Sequence, residues 1–325
     1  SQFCLDRFSV DVGGGGAFNV TQDTSAPEGF EKSLKLEVGT ADSSIASGDA
    51  YRVTQAVEGQ NISQVDLGAS TAKAMALSFY VKSSVTGTYG VGLANNAETE
   101  NFVAEYTISS ADTWEKKTIN IPVRTSGTWL TTNGVGVGVR FDLGSGTDFN
   151  GTAGQWQTTS SKVYRTSSCV NLIATGSATW FLTGVQLEVG QNPTSFEHEP
   201  FERTLAKCQR YFYAVHQDYG PSSSNYSFMG SGIYYTSSNI NAAVTFPVAM
   251  RAIPTATVDF GSSGNQGFIS YTNNSLDYIG SSASINMPSI YGTFIQFGDG
   301  SGTGGHTGMV ATQYDDQSFS FSAEL

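Results

Sequence analysis

A strand that breaks off before a helix-forming segment, near the middle of the chain, most constrains how this sequence can fold. Thr179–Val189 alternates apolar and polar residues, which is typical of a strand buried on one face. The turn-forming residues 190–193 end that pattern. Residues 199–208 are helix formers, with Phe201 and Leu205 at helical spacing, and an aromatic strand follows them. The stretch predicts two domains joined by a short helical connector.

Length and composition favour two all-β domains. A chain of 325 residues suits two domains of roughly 100–200 residues each. Hydrophobic residues make up 39% of the sequence, enough for packed cores, whereas charged residues make up only 14%. With 37 Gly, 20 Phe and 15 Tyr, the balance is typical of strands connected by many short turns.

Charge and cysteine usage exclude several classes of partner. The net charge of −12 leaves no basic stripe for a phosphate backbone, so we expect no nucleic-acid partner. No apolar run approaches the ~20 residues that span a bilayer, so we expect no membrane insertion. Cys4, Cys169 and Cys208 lack the spacing of a zinc site or a disulfide framework, which favours free thiols.

Alternating strands predict a β-sandwich over residues 1–190. The clearest are Ser33–Val38, Met75–Lys82, Lys117–Val123 and Gly134–Phe141. Several such strands separated by long polar loops are typical of a two-sheet jelly roll. In the last of them Gly134, Gly136 and Gly138 share one face, which lets either another chain or a covering loop approach closely.

The sequence predicts three parts: a jelly roll at 1–190, a connector with a short helix at 191–210, and a second, smaller β-sandwich at 211–325. The last block is rich in Tyr, Ser and Asn and shows no sustained helical period. Its strand candidates are Arg210–Val215, Gly232–Tyr235, Ala242–Phe246, Thr255–Phe260, Gly267–Tyr271, Thr293–Phe297 and Ser318–Ala323.

Several ordered phrases resemble a module of tail fibres and other appendage proteins of tailed bacteriophages. They include Gly-Val-Gln-Leu-Glu-Val-Gly at 184–190, Leu-Ala-Lys-Cys-Gln-Arg-Tyr-Phe at 205–212, Leu-Ser-Phe-Tyr-Val-Lys-Ser-Ser at 77–84 and Phe-Pro-Val-Ala-Met-Arg-Ala-Ile-Pro-Thr at 246–255. The module is itself similar to the jelly-roll carbohydrate-binding modules of glycan-degrading enzymes. The resemblance implies a location on the virion surface, contacts with host-surface glycan and other virion proteins, and a homotrimer.

Aromatic side chains in polar loops are the candidate glycan-binding residues. Sugars stack their C–H faces on flat rings and pair their hydroxyls with amides and carboxylates. Trp129, Trp156 and Tyr164 lie in or near predicted loops, with Gln155 beside them. The competing interpretation is that large aromatic residues anchor the core, and we expect this of Trp114 and Trp180. In the second block Tyr219, Tyr226, Tyr234, Tyr235 and Tyr278 predict a tyrosine-rich recognition surface.

No catalytic motif is present, so we expect a protein that is not an enzyme and needs no cofactor. Jelly-roll carbohydrate modules often hold a calcium ion, which makes Asp6 and Glu188 weak calcium candidates by resemblance. Those modules carry Asp where this chain has Gly184, which weakens the site. Asp142, Asp148 and Asn150 are a weaker alternative, because Asp and Asn also favour turns.

The expected function is a non-enzymatic virion appendage protein, of a tail or head fibre, that binds host-surface glycan for attachment. One alternative is a purely structural decoration or adaptor protein of the virion. The other is a polysaccharide-degrading tailspike, which would need two carboxylates held about 5–10 Å apart across a cleft. The sequence singles out no such pair.

Overall fold

Strands and short turns account for most of the regular structure of this protein. Its computed structural model describes residues 2–3, 7–216, 227–259, 268–272, 275–279, 283–298, 300, 302–312 and 318–324. The chain divides into two compact units, with the boundary between His198 and Glu199. This boundary lies inside the segment 191–210 that the sequence predicts as a connector.

The first unit is built from antiparallel strands with three 3₁₀ turns and one short helix. The strands are β1 (Gln2–Phe3), β2 (Phe8–Val12), β3 (Ala17–Asp23), β4 (Ser33–Thr40), β5 (Tyr51–Glu58), β6 (Met75–Ser83), β7 (Gly87–Ala94), β8 (Glu100–Ile108), β9 (Glu115–Ile121), β10 (Val135–Asp142), β11 (Trp156–Thr158) and β12 (Thr179–Val189). The helix is α1 (Gly59–Ile62), and the 3₁₀ turns are Ser63–Val65, Thr147–Phe149 and Leu172–Ala174.

These strands form two sheets that face each other across one core. Among the described residues, one sheet has seven strands in the order β1-β2-β5-β10-β7-β8-β11, and the other has five in the order β3-β4-β12-β6-β9. All the pairings are antiparallel, and neighbouring strands in each sheet are often distant in sequence. The predicted all-β sandwich is confirmed.

The alternation in the sequence matches the two faces of each strand. In β6, Met75, Leu77, Phe79 and Val81 share the face that lies on the core and are fully buried. On the other face Ala76 and Ser78 are buried as well, whereas Tyr80 and Lys82 are partly exposed. β9 lies at the edge of the five-stranded sheet and ends at Ile121. Pro122 directly follows Ile121. Proline has no N–H to donate to a neighbouring strand, which suits the end of an edge strand.

Aromatic rings from both sheets meet in the centre of the sandwich. Phe79 of the five-stranded sheet lies edge-to-face on Phe141 of the seven-stranded sheet, with ring centroids 5.1 Å apart. Trp180 of β12 contacts Phe141 at 5.8 Å and is fully buried. Large rings bury the most apolar area per residue, so this cluster contributes strongly to holding the sheets together.

A single helix opens the second unit. α2 (Phe201–Gln209) follows Pro200 and carries Glu202 in its first turn and Lys207 in its last, matching the helix dipole. Phe201 is 74% exposed and Leu205 is also exposed. No helix among the described residues has the length and apolar composition of a membrane span.

The second unit is also a pair of antiparallel sheets. Its strands are β13 (Phe212–His216), β14 (Ser227–Tyr234), β15 (Ile240–Thr245), β16 (Thr255–Asp259), β17 (Phe268–Thr272), β18 (Ser275–Ile279), β19 (Ala283–Asn286), β20 (Gly292–Phe297), β21 (Thr307–Thr312) and β22 (Ser318–Ser322). Within the described part, one sheet has the order β13-β22-β16 and the other the order β18-β17-β21-β14-β15-β20-β19. Phe319 and Phe321 of β22 pack with Phe297 and Val310 of the larger sheet in one buried cluster.

Truncation of the central indole tests this packing. We expect Trp180→Ala to lower the free energy of unfolding of the first unit by about 3–5 kcal/mol, because the substitution removes a fully buried ring and leaves a cavity. Denaturant unfolding followed by circular dichroism measures the change. The exposed Val123→Ala is the control and should stay within about 0.5 kcal/mol of wild type. A loss below about 1 kcal/mol for Trp180→Ala would contradict the described core.

Candidate functional site

The outer face of the seven-stranded sheet is covered by the chain itself. Tyr89, Val91 and Leu93 of β7 point into the core, so Gly90 and Gly92 face outward. Residues 159–170, here called the covering segment, lie against this outward face. A side-chain carbon on Gly92 would lie 2.5 Å from Cβ of Tyr164, and one on Gly90 would lie 2.7 Å from the Tyr164 carbonyl oxygen. Only glycine lets the two backbones approach this closely.

Tyr164 lies beneath the surface, which corrects the expectation that it is an exposed ring. Its side chain is fully buried, and its hydroxyl donates to Ser145 Oγ at 3.0 Å. The Arg52 guanidinium lies 4.9 Å from the ring centroid on the other side. Burial raises the pKa of Tyr164 to about 12. The ring anchors the covering segment and offers no surface to a sugar.

Ion pairs tie the charged side chains of this face together. Arg52 Nε lies 2.7 Å from Asp11 Oδ2. Glu98 accepts from both Arg140 at 2.5 Å and Lys162 at 2.6 Å, and Lys162 belongs to the covering segment. Burial lowers the pKa of the Arg140 guanidinium, and the nearby Glu98 charge opposes that shift. The pairs therefore help to fix the covering segment to the sheet.

The glycine strip of β10 is covered as well. A side-chain carbon on Gly136 would lie 2.6 Å from Gly59 Cα and from Ile62 Cγ2 of α1, and one on Gly138 would lie 3.5 Å from Arg140 Nη2. Gly136 and Gly138 are buried. Of the two explanations for the strip, the described residues support a face overlain by the same chain, so these glycines are not an approach surface for a second copy.

Two of the sequence-predicted aromatic residues come together at the edge of the sandwich. Trp129 lies in the loop between β9 and β10, and Trp156 begins the edge strand β11. Their ring centroids are 5.5 Å apart with an interplanar angle of 85°, an edge-to-face contact. Each ring is half-buried and packs against the core of the first unit. We call Trp129 and Trp156 the tryptophan pair.

Both indoles are held in fixed orientations. Trp156 Nε1 donates to the Pro122 carbonyl at 2.8 Å, and its ring lies 5.5 Å from that of Phe102, its partner in β8. Trp129 Nε1 donates to the Ser126 carbonyl at 3.0 Å. With both donors satisfied by the same loop, the half-exposed rings form a rigid apolar surface. Rigid rings cost little entropy when a ligand stacks on them.

Polar side chains surround the tryptophan pair. Gln155 is exposed directly beside Trp156. Gln157 is turned inward, where its amide donates to and accepts from the backbone of Thr152 at 3.1 and 2.9 Å. The structure therefore leaves Gln155 as the neighbouring amide that a ligand can reach.

An ion pair that the sequence analysis did not predict links the loop of Trp129 to β8. Arg124 Nε donates to Glu100 Oε2 at 2.7 Å, and Arg124 Nη2 also reaches Thr158 Oγ1 at 2.5 Å. Gly127 has a positive φ of 88°, and a side-chain carbon there would lie 2.4 Å from Glu100 Cγ. Glu100 and Arg124 are 24 residues apart in sequence, so no local pattern links them. The local signal was Gly127, which allows the loop to lie close against Glu100 of β8.

The tyrosine surface predicted for the second unit is described only in part. Tyr234 is buried at 1% exposure and belongs to the core, whereas Tyr235 is 72% exposed. Adjacent residues of an extended chain point to opposite faces, so Tyr234 and Tyr235 cannot both lie on one exposed surface. Tyr219, Tyr226 and the side chain of Tyr278 lie outside what the structure describes.

The calcium candidates are not brought together in the described part of the chain. Asp6 lies outside the described residues. Glu188 accepts from Gln186 Nε2 at 2.9 Å and from the backbone N–H and the hydroxyl of Thr194 at 2.7 and 2.8 Å. Burial raises the pKa of Glu188, but the hydrogen bonds from Gln186 and Thr194 together outweigh it and leave that pKa below its usual value. Among the described residues, no three His, Cys, Asp or Glu side chains cluster as metal ligands.

In the weaker calcium alternative, Asp142 and Asp148 are each engaged by different residues of the chain. Asp142 is buried, accepts from the Ser145 N–H at 2.9 Å and lies 3.6 Å from Arg165 Nε. Asp148 instead accepts from Ser47 Oγ at 3.1 Å on the surface. A guanidinium beside Asp142 disfavours a cation there.

Comparisons with known proteins place the chain near two kinds of solved structure. It is similar to the enzymatically active domain of tailspike protein 4 of bacteriophage CBA120, with 14% identity and a TM-score of 0.32, over 56% of this chain and 19% of that one. It is similar to the family 11 carbohydrate-binding module of Clostridium thermocellum bound to a β-1,3-1,4-mixed-linked tetrasaccharide, with 10% identity and a TM-score of 0.33, over 59% and 94%.

A third similar structure is TmCBM61 in complex with β-1,4-galactotriose, with 12% identity and a TM-score of 0.28, over 56% of this chain and 88% of that one. No protein-family model and no curated protein matches the sequence. Structural similarities this distant carry no argument about function, which is argued below from the residues of this chain.

The buried Asp142 gives a pH-dependent stability. Burial raises its pKa from 3.8 to about 6, against the lowering effect of Arg165. Between pH 3.8 and about 6, the folded state therefore keeps a proton on Asp142, whereas the unfolded state releases that proton. The contribution of Asp142 to the free energy of unfolding is largest below pH 3.8 and is lost as the pH rises through 6. The loss amounts to about 3 kcal/mol, at about 1.4 kcal/mol for each pKa unit.

Comparison with Asp142→Asn isolates this contribution. The free energy of unfolding of wild type minus that of Asp142→Asn should fall by about 2.4 kcal/mol between pH 4 and pH 7.5, because part of the effect is already lost at pH 4. Urea titrations at each pH measure both proteins under the same conditions. A difference that stays constant over this range would show that Asp142 has an ordinary pKa in the folded state.

Proposed function

We propose that the first unit is a carbohydrate-binding jelly roll that recognises glycan at the tryptophan pair. The observation that carries the proposal is the pair itself, with two indoles 5.5 Å apart, half-exposed at the sandwich edge and both held by hydrogen bonds to the loop between β9 and β10. Sugar rings present C–H faces that stack on such surfaces. The exposed amide of Gln155 supplies a hydrogen-bonding group beside the rings.

The proposed role is binding without catalysis. Glu100 packs against Gly127 in the loop that holds Trp129, is buried, and is engaged by Arg124 and Thr158. A glycosidase needs a second carboxylate within about 10 Å across a cleft, with one of the two able to donate a proton. The geometry around the tryptophan pair supports recognition better than hydrolysis.

The biological setting that we propose is a bacteriophage tail or head fibre on the virion surface, where this protein attaches the particle to host glycan. Support comes from the ordered phrases at 77–84, 184–190, 205–212 and 246–255, which resemble phage appendage proteins. The same resemblance supports a homotrimer and contacts with other virion proteins. Since Gly136 and Gly138 are covered, any trimer contact must use other surfaces.

One observation favours a second candidate, a structural decoration or adaptor protein of the virion. The covering segment closes the outer face of the seven-stranded sheet, so that face offers no open groove to a polysaccharide. A sandwich without a groove also suits a unit that only packs against neighbours. Glycan binding by the isolated protein separates the two candidates.

Substitution of the tryptophan pair tests the glycan-binding proposal. We expect Trp156→Ala and Trp129→Ala to weaken binding to host-surface polysaccharide by roughly thirtyfold, since a central aromatic contact contributes on the order of 2 kcal/mol. Affinity electrophoresis in gels containing the polysaccharide measures the loss. Both variants should also lose some stability, because each indole donates a hydrogen bond that helps to hold the loop between β9 and β10.

Trp114→Ala is the matched control for that stability loss. Trp114 is half-buried too, but it lies on the other sheet, edge-to-face with Phe181 at 6.1 Å. The control should lose comparable stability and bind polysaccharide as wild type does. If Trp129→Ala, Trp156→Ala and their double variant all retain full binding, recognition belongs to the second unit or the structural candidate is correct.

A further inference from the structure

The larger sheet of the second unit presents apolar side chains on its outer side. Its inner side forms the core, where Ala242 and Val244 of β15 are buried. Alternate strand residues therefore point outward. Among them, Ile233 of β14, Phe294 of β20 and Met309 of β21 are 44, 42 and 48% exposed. We call the outer side of these four strands, β21, β14, β15 and β20, the apolar face.

The register of the strands sorts the side chains of the apolar face by size. Met309 of β21 is paired with Ser231 of β14, and Ala243 of β15 is paired with Phe294 of β20. Because the strand order is β21-β14-β15-β20, one row across the face reads Met309, Ser231, Ala243, Phe294. Large side chains therefore stand at the two borders and small ones in the middle, and a shallow groove of about 600 Å³ lies between the borders.

The apolar face carries no charge among its described residues. Its polar side chains are hydroxyls and amides, such as Asn241 and Gln296, which are hydrogen-bonded to each other at 3.0 Å. An acidic or basic partner finds no opposite charge there. The chain has a net charge of −12, so two copies repel each other over most of their surface. A neutral face lets copies approach without that repulsion.

The exposed side chains are typical of a contact between proteins. Sugars stack on flat rings, and of the three exposed apolar side chains only Phe294 has one. The centres of protein interfaces are depleted of charged residues and enriched in Met and aromatic residues, as this face is. The backbone of a sheet face is already paired within the sheet, so an extended peptide has no strand edge to join here. The composition therefore favours another folded chain.

The row of side chains fits three copies better than two. Two sheets packed face to face keep a separation of about 10 Å along their width, which calls for side chains of even size. Three sheets around one axis form a triangle, whose sides are closest to the axis at their middle and twice as far from it at their corners. Sides about 19 Å long, the width of four strands, place the middle of each sheet about 5.5 Å from the axis. Small residues in the middle and large ones at the borders match that outline.

We propose that the apolar face is the contact surface between three copies of this chain, packed around an axis that runs along its strands. Ser231 and Ala243 then lie nearest the axis. At each corner Met309 of one copy meets Phe294 of the next, a favourable contact between a thioether and a ring. The inference rests on the homotrimer proposed above and assigns its contact surface. It fails by itself if the copies meet through another surface.

Light scattering on the full chain and on two charge variants tests the proposal. The wild type at micromolar concentration should have three times the 34.4 kDa mass of one chain. Ala243→Glu changes an exposed residue and places three carboxylates around the axis, so association should weaken about a hundredfold or more. Thr257→Glu is the control, because it adds the same charge at an exposed position of β16, in the other sheet of the second unit. This control should remain a trimer.

Mixing variants separates loss of an interface from loss of the fold. Ala243→Lys should also be monomeric by itself, because ammonium groups around the axis repel one another as carboxylates do. An equal mixture of Ala243→Lys and Ala243→Glu should regain the trimer mass, since opposite charges then meet near the axis. A folding defect would not be repaired by mixing. Circular dichroism of each variant should match that of the wild type.

The possible outcomes distinguish this inference from the proposed function. A trimer that survives Ala243→Glu overturns the inference and leaves the homotrimer in place through another surface. A monomeric wild type overturns both, and a dimer overturns the three-fold arrangement. Equal dissociation of Thr257→Glu, or a mixture that does not associate, also contradicts the assigned surface. A monomer whose Phe294 NMR signals shift with a neutral polysaccharide would make the apolar face a glycan site instead.

Discussion

The contact between Tyr164 and the glycines of β7 determines which surfaces of the first unit a ligand can reach. Gly90 and Gly92 let the covering segment lie directly on the outer face of the seven-stranded sheet. The Tyr164 hydroxyl then donates to Ser145, whose own Oγ accepts from the Tyr51 N–H at 2.9 Å. One buried ring thus joins the covering segment, the loop after β10 and the strand β5. With the broad face closed, exposed recognition groups are left at the sandwich edge and at the loops beyond the strand ends.

Charge pairing supports the same arrangement. The protein has a net charge of −12, yet the cations buried at this face each have a carboxylate partner: Arg52 with Asp11, Arg140 with Glu98, and Arg165 with Asp142. Removing one member of such a buried pair leaves an uncompensated charge, which costs several kcal/mol.

The sequence predicted the strands and the core well, because a period of two is a local property. Alternation located β4, β6, β10 and β12, and the apolar positions of β6 are all buried. Trp180 was expected in the core and is fully buried. Tyr164 was placed wrongly, because its neighbours in sequence do not reveal that it lies on β7, more than 70 residues earlier. The alternation of glycine and apolar residues in Gly90–Leu93 was the available signal, the same pattern that marks the covered face of β10.

The sites depended on long-range pairing that single-sequence patterns do not contain. Trp129 and Trp156 were both candidates, but their edge-to-face contact follows from β11 joining β8 at the sheet edge. The ion pair between Arg124 and Glu100 likewise joins residues 24 apart in sequence, and no local spacing links them.

The most direct test of the account is to map where a glycan touches the folded first unit. Amide chemical-shift perturbation with a bound oligosaccharide from host-surface polysaccharide distinguishes the possible surfaces in one experiment. The account predicts shifts at Trp129, Gln155 and Trp156, including both indole N–H signals, and none at Gly90, Gly92 or Arg140. Shifts concentrated on Gly90, Gly92, Gly138 and Arg140, with the covering segment displaced, would contradict it. Recognition would then use the broad sheet face that this structure closes.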